Sequence, residues 1–283
     1  MPPAEATRVE ASEQARLVAG DAVRIGAEII NRDADGLPLG DQRAGLALNL
    51  AIDRDALVKE AMAAHATALG GLVPHAAVLL LDNVLHPLFR PYGNEPDRAK
   101  APWAEAMGEG GTARPLRIAA PAKLEVLARQ VAKNIEAVIG ILTEVSPLDD
   151  EQRADAWRRL ATRERPLAWD ILIHDQGAQA ADTVAQEMHA AFAGEMGAFR
   201  AGPVVPVFED MYAELVTETS RLKASTITHT LGSVVRERAL ALFLVAPKGL
   251  YAVNRHVDVT PYASTIELAQ TKVREDHWSR RYP

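Results

Sequence analysis

The sequence predicts an α/β fold built around a parallel βαβαβ core, with additional strands near both ends of the chain. Three short apolar runs indicate the core strands: Pro115–Ala119, Ile141–Val145 and Trp169–Ile173. The stretches between them are short and repeat apolar residues every three or four positions, as amphipathic helices do. Strands joined by such helices run parallel through right-handed crossovers.

Composition favours a globular protein and excludes several classes. The 283 residues are 48% hydrophobic and 24% charged, which allows a sizeable core. A net charge of -7 provides no basic surface, so we expect no nucleic-acid partner. The absence of cysteine excludes disulfides and thiolate metal sites. No apolar run reaches the ~18 residues of a membrane helix.

The first third of the chain predicts strands and then helices. Residues Arg16–Asn31 contain β-branched side chains and a Gly-Asp break, which indicates two short extended runs. Asp41 can cap a helix that continues to about residue 65, and Asp53 can cap or begin a helix. After a loop rich in Gly and Pro, Leu69–Asn94, Pro96 suits the first turn of another helix.

The middle of the chain gives the clearest pattern. Leu127 and Val131 belong to an apolar helix face that Gly140 ends. Either Asp149 or Asp150 can cap the next helix, whose apolar face includes Trp157. Helices are then predicted over 182–193, 206–219 and 222–239, followed by two late strands, Leu240–Val245 and Leu250–Asn254.

A candidate binding site follows from the βαβαβ pattern, because ligands of open α/β sheets bind beyond the carboxyl ends of the strands. The end at His174, Asp175, Gln176 and Gly177 has the greatest hydrogen-bonding capacity, and we expect it to be a solvent-exposed loop. The alternative is ordinary turn chemistry and helix capping, since loops are polar whether or not they bind a ligand.

No group of residues indicates catalysis. The sequence has no Gly-x-Ser-x-Gly nucleophile elbow, and no second histidine follows His189 at zincin spacing. The glycines at 108–111 are not followed by the Lys-Ser/Thr pair of a phosphate loop. The acidic pairs Asp149-Asp150 and Glu209-Asp210 lie at helix starts, where the macrodipole favours them.

The segment DQRAGLALNLAIDRDAL, residues 41–57, resembles the signature that opens the second lobe of family 5 solute-binding proteins, the oligopeptide, dipeptide and nickel binding group. The matching positions are Arg43, Ala47, Leu48, Asn49, Ala51, Ile52, Asp53 and Arg54. Further matches keep the family's order along the chain. They are Pro96–Ala101, Ile139–Ile141, Trp169–Ile171, Phe208–Glu218 and Ala239–Asp258.

The resemblance implies a periplasmic-binding-protein-like lobe and a division of the chain into three parts. Residues 1–31 would be crossing strands from a first lobe, 32–239 the second, carboxyl-terminal lobe, and 240–283 closing strands and a tail. Because the first lobe is not in the sequence, we expect the two crossing segments to pair with each other or to cause self-association.

The same resemblance implies capture of peptides or similar small solutes for the permease subunits of an ABC importer, without a cofactor, a metal or bond chemistry. The ligand-binding candidates are His174, Asp175, Gln176, Phe199 and Arg200, and Arg200 could pair with a solute carboxylate. The family often has a tryptophan beside the pocket where this chain has Gln176-Gly177-Ala178, so the solute is left open.

Location and alternatives follow from the ends of the chain. Family members work in the periplasm or outside the cytoplasm, whereas the polar, acidic start MPPAEATRVEASEQ lacks the features of a signal peptide and predicts a cytoplasmic chain. Two alternatives therefore stay open: a truncated, non-transporting cytosolic fragment and an unrelated α/β enzyme.

Overall fold

The structure is a computed structural model, and it describes residues 1, 3–20, 24–71, 90–108, 114–177, 201–262, 265–266, 268–277 and 279. The predicted helix at 182–193 and most of the predicted loop Leu69–Asn94 lie outside the described residues.

A six-stranded mixed sheet forms the centre of the described fold. Its strands are β2 (Arg24–Ile30), β3 (Ala66–Ala68), β4 (Leu116–Pro121), β5 (Thr143–Leu148), β6 (Ile171–Gly177) and β7 (Ala241–Pro247). Their spatial order is β3-β7-β2-β6-β4-β5. Two further strands, β1 (Ala15–Gly20) and β8 (Gly249–Asn254), form a separate two-stranded ribbon. Short pairs near the carboxyl end are β9 (Val257–Asp258) with β12 (Lys272–Val273), and β10 (Pro261–Tyr262) with β11 (Thr265–Ile266).

Helices cover both faces of the main sheet. The described α-helices are α1 (Ala6–Glu10), α2 (Gln42–Ala51), α3 (Arg54–Ala56), α4 (Pro96–Met107), α5 (Glu125–Ile139), α6 (Asp150–Thr162), α7 (Pro206–Thr217) and α8 (Arg221–Glu237). Leu48 of α2 and Leu127 of α5 belong to the core on one face. Leu160 of α6, Leu215 of α7 and Leu231 of α8 belong to the core on the other.

The predicted βαβαβ core is confirmed. Strand β4 pairs in parallel with β5 on one side and with β6 on the other. Leu127 and Val131 of α5 are buried in the same cluster as Leu116 and Ile118 of β4. The fold class is therefore α/β, as the spacing of the apolar runs predicted.

The two segments expected to cross between lobes pair with each other. Strand β1 is antiparallel to β8, and β2 is antiparallel to β7. Strand β2 also pairs with β6, so it lies in the middle of the main sheet. Both segments therefore run from the main sheet into the ribbon side by side.

Local capping signals predicted several element ends correctly. The Asp41 side chain accepts a hydrogen bond from the backbone of Arg43 and caps α2. Asp149 forms a reciprocal capping box with Gln152 at the start of α6. Gly140 ends α5 with φ 82°, a left-handed conformation that glycine adopts without strain.

The prediction of one continuous helix from residue 42 to about 65 is wrong. Helix α2 ends at Ala51, because Ile52 and Asp53 have extended backbone angles. The Asp53 side chain then accepts from the backbone of Ala56 at 2.9 Å and starts a second helical segment, so its predicted capping role is confirmed. The apolar stripe alone did not show this break.

Candidate functional site

The candidate site is the edge of the main sheet where the parallel strands end, at Pro121 of β4, Leu148 of β5 and Gly177 of β6. Gly177 pairs with Arg24, the first residue of β2. The ribbon joins the sheet at this same edge, because β2 follows β1 and β8 follows β7 along the chain. The strand ends and the ribbon therefore share one side of the lobe.

The expectation that residues 174–177 form a loop is wrong, and so is the expectation that His174 is solvent-exposed. They are the second half of β6, which pairs with β2 along its whole length. His174 lies opposite Ala27 and is only 4% exposed. Its ring packs edge-on against Trp157 of α6, with ring centroids 5.1 Å apart. The strand is longer than predicted because pairing with β2 continues through Gly177. The sequence around β6 does not show this partner, which lies about 150 residues earlier in the chain.

The other predicted ligand-binding residues keep their status as predictions. Asp175 and Gln176 lie near the carboxyl end of β6, where they pair with Gly26 and Ile25 of β2. The structure describes their backbone only. Phe199 and Arg200 lie outside the described residues.

At the carboxyl end of β5, the polar residues cap a helix, which is the alternative to ligand binding that the sequence left open. Asp149 directly follows this strand, and both its side chain and its backbone N–H are engaged with Gln152. Polar groups at this strand end therefore begin a helix. Capping chemistry therefore accounts for the Asp149 side chain at the end of β5.

Two residues of the family signature, Asn49 and Arg54, contact the backbone of β7. Strand β3 covers only Val245–Pro247 of β7. Earlier on the same strand, the Asn49 side chain donates to the Ala241 carbonyl at 3.0 Å and accepts from the Phe243 N–H at 3.2 Å. Asn49 thus replaces the neighbouring strand where β3 is absent.

Arg54 provides a further hydrogen bond to the backbone of β7. Its Nε donates to the Phe243 carbonyl at 2.8 Å, and its Nη2 donates to the Asn49 side chain at 3.0 Å. Burial lowers the pKa of Arg54 to about 10, against the opposing effect of Glu28. Arg54 is 3% exposed, so the signature residue fixes α2 and α3 to the sheet rather than facing a solute.

Glu28 is a buried carboxyl group that the sequence analysis missed. It lies on β2 between Ile173 of β6 and Leu242 of β7, and it is fully buried. Neither carboxylate oxygen has a hydrogen-bond partner among the described residues. Burial raises the pKa of Glu28 well above its usual value, and the charge of Arg54 opposes this only in part. The available signal was one charged residue within the apolar run AEII.

Contacts between the ribbon and its surroundings fix the junction with the main sheet. The amino-terminal nitrogen of Met1 donates to the Leu250 carbonyl in β8 at 2.8 Å. Between β7 and β8, the Lys248 N–H donates to the His65 carbonyl at 3.0 Å. The His65 ring lies 4.0 Å from the Glu10 carboxylate. The helix α1, the ribbon and the main sheet therefore meet at this junction.

The described residues contain neither a metal-binding cluster nor a membrane-spanning helix. No three histidine or acidic side chains in those ranges are grouped so that they could hold a metal ion. No described helix combines the length and apolar character needed to cross a bilayer.

Comparison with known proteins places the fold. No family model matches the sequence, and no curated protein is detectably similar to it. Solved structures do match. The ABC transporter substrate-binding protein CtaP from Listeria monocytogenes superposes with a TM-score of 0.79 at 11% identity, over 96% of this chain and 55% of that chain.

Two other matches have bound ligands. NikA from Staphylococcus aureus, in complex with Ni(L-His)2, superposes with a TM-score of 0.74 at 14% identity, over 97% of this chain and 56% of that one. A dipeptide-binding protein from Pseudoalteromonas sp. SM9913, in complex with Met-Leu, gives 0.71 at 14% identity, over 96% and 52%.

The fold is therefore that of the substrate-binding proteins of ABC transporters. Within that class, the matched structures include peptide- and nickel-binding proteins, so the resemblance to family 5 is confirmed at the level of the fold. The chain spans about half the length of the proteins it matches.

Proposed function

We propose that this chain forms one wall of a two-lobed protein that captures peptides or similar small solutes for an ABC importer, outside the cytoplasm. The observation that carries the proposal is that two chain segments, β1–β2 and β7–β8, run next to each other between the ribbon and one edge of the main sheet. Strands β2 and β7 lie side by side in the main sheet, and β1 and β8 lie side by side in the ribbon. Two adjacent segments of this kind form a hinge when a few residues between the sheet and the ribbon absorb the change in backbone angles.

The proposed binding wall is the carboxyl edge of β4, β5 and β6, because it faces the side from which the ribbon projects. Asp175 and Gln176 at the end of β6 would contact the solute, together with Phe199 and Arg200. The guanidinium of Arg200 would pair with a solute carboxylate, and Asp175 would pair with a solute amino group. His174, which is buried, would support this edge through its contact with Trp157.

Calorimetric titration with pooled di-, tri- and oligopeptides tests the proposal. The chain alone offers one wall, so we expect weak binding or none. Joined to the part of the matched dipeptide-binding protein that it does not cover, the chain should bind at least about tenfold more tightly, because the second wall adds contacts and excludes water.

Substitutions locate the site in the two-lobed form. We expect Asp175→Ala and Arg200→Ala each to weaken peptide binding, because each removes a partner for a charged end of the solute. Asp97→Ala and Arg98→Ala are the matched controls, since both residues are exposed on α4. Binding that is unchanged by the first pair would place the pocket elsewhere. An absence of solute binding in the two-lobed form would contradict the proposed function.

A further inference from the structure

A separate cavity of about 260 Å³ lies at the opposite edge of the main sheet. It is bounded by the residues that follow β2, the start of α2, the segment before α7 and the residues between α8 and β7. Its lining includes Arg32, Asp41, Val205 and Arg238. Strand β6 separates the two edges by roughly 20 Å, at ~3.3 Å per residue over its seven residues. The cavity is therefore distinct from the proposed solute-binding edge.

Arg32 brings a poorly compensated positive charge to this cavity. The residue is partly buried, and its Nη2 donates to the Pro203 carbonyl at 2.9 Å. Within the described ranges, no carboxylate lies within 4.0 Å of its guanidinium. Burial lowers the pKa of Arg32, and the nearby charge of Asp33 opposes this. A partly buried cation without a close anion is costly unless an anion is supplied.

The backbone opposite Arg32 is shaped to accept its side chain. Gly202 has φ 131°, a conformation that side-chain-bearing residues rarely adopt. A Cβ atom at Gly202 would lie 2.6 Å from the Cβ of Arg32 and 3.3 Å from its Nε. The absence of a side chain at this position therefore allows the arginine to lie against the 201–205 segment.

A second guanidinium and one helix start without a side-chain cap add positive potential. Arg238 is exposed on the cavity wall, and it forms no ion pair with another described residue. The Asp41 carboxylate also lines the cavity, but Arg43 binds it at 2.6 Å, which neutralises its charge. Helix α7 begins beside Val205, which provides no side-chain cap, whereas the Asp41 carboxylate already caps the start of α2. The amino ends of helices favour anions.

We propose that this cavity binds a small oxyanion of the phosphate class. Arg32 and Arg238 would provide charge-assisted hydrogen bonds, and the start of α7 would add to the positive potential. A fork of guanidinium donors suits phosphate better than it suits a spherical anion such as chloride. The cavity lies at the opposite end of β6 from Asp175 and Gln176, so the effect of Asp175→Ala on peptide binding and the effect of Arg238→Gln on phosphate binding are measured separately.

Titration of the chain with inorganic phosphate tests this site, with sodium chloride keeping the ionic strength constant. We expect phosphate to bind and to raise the thermal unfolding midpoint, whereas chloride does neither. Arg238→Gln should weaken phosphate binding by about tenfold or more, because it removes a charge-assisted contact. Arg32→Gln should do the same. Arg238 is exposed, so its variant tests the site even if the Arg32 variant fails to fold.

Arg129→Gln is the matched control, since it removes one exposed positive charge from α5, away from the cavity. Its phosphate affinity should equal that of the unaltered chain. Equal weakening in Arg129→Gln and Arg238→Gln would show that phosphate responds only to net charge. That result, or no difference between phosphate and chloride, would overturn the proposal.

Discussion

Replacing Asp170 with asparagine is expected to lower the free energy of unfolding by about 3–5 kcal/mol, the usual cost of breaking a buried ion pair. The Asp170 side chain is fully buried at the start of β6. It accepts from Arg114 at 2.7 and 2.9 Å, and from the side chain and backbone N–H of Arg117 at 2.8 Å each. The substitution would leave two guanidinium groups without their anion.

The pH dependence of this loss follows from the pKa of Asp170. Burial alone would raise that pKa, but hydrogen bonds from Arg114 and Arg117 outweigh burial and hold it below the ordinary value of 3.8. The contribution to stability is therefore fully present above pH 3.8 and declines as the pH falls towards the folded-state pKa. Chemical denaturation between pH 3 and 7 should show this decline in the unaltered chain and a flatter profile in Asp170→Asn.

Asp155→Asn provides the matched control. Asp155 also contacts two arginines, Arg158 and Arg159, at 2.6 and 2.8 Å, but the group lies on the surface of α6. Solvent screens such pairs, so this substitution should change stability little. Similar losses at both positions would show that burial of the Asp170 group is not what gives it its effect.

Replacing Glu28 with glutamine should raise the free energy of unfolding at alkaline pH, by about 1.4 kcal/mol for each pH unit between 4.5 and the folded-state pKa of Glu28, because only the unfolded state loses its proton over that range. Glu28 is fully buried between β6 and β7, and its oxygens accept no hydrogen bond from any residue that the structure describes. An ionised carboxylate would lack solvation there. Glutamine has nearly the same shape and cannot ionise.

The sign of the pH effect is opposite to that for Asp170. Because burial raises the folded-state pKa of Glu28 above its ordinary value of 4.5, the folded state holds this proton more tightly than the unfolded state. The unaltered chain is therefore not penalised below pH 4.5, and it loses stability as the pH rises through the folded-state pKa. The advantage of Glu28→Gln should grow over that range.

Denaturation midpoints of both chains, measured from pH 5 to 9, check this prediction. Glu144→Gln is the control, because Glu144 lies exposed on the edge strand β5. It should follow the profile of the unaltered chain. A Glu28→Gln variant that is less stable by the same amount at every pH would contradict the expected effect of ionisation.

Sequence patterns were sufficient for features that depend on neighbours in the chain. The apolar runs at β4, β5 and β6 predicted the parallel core, because side-chain periodicity records which face of a segment is buried. The caps at Asp41 and Asp149 and the helix end at Gly140 were predictable for a similar reason. Each depends on hydrogen bonds or backbone angles within a few residues.

Only the tertiary structure decided which polar groups are buried and what they contact. The extension of β6 through Gly177 depends on β2, and the burial of Asp170 depends on Arg114, 56 residues earlier. The role of Asn49 depends on how far β3 covers β7. A polar residue has the same local sequence whether it faces water or the core. Its environment is set by segments distant in the chain, and the periodicity of its own segment does not identify them.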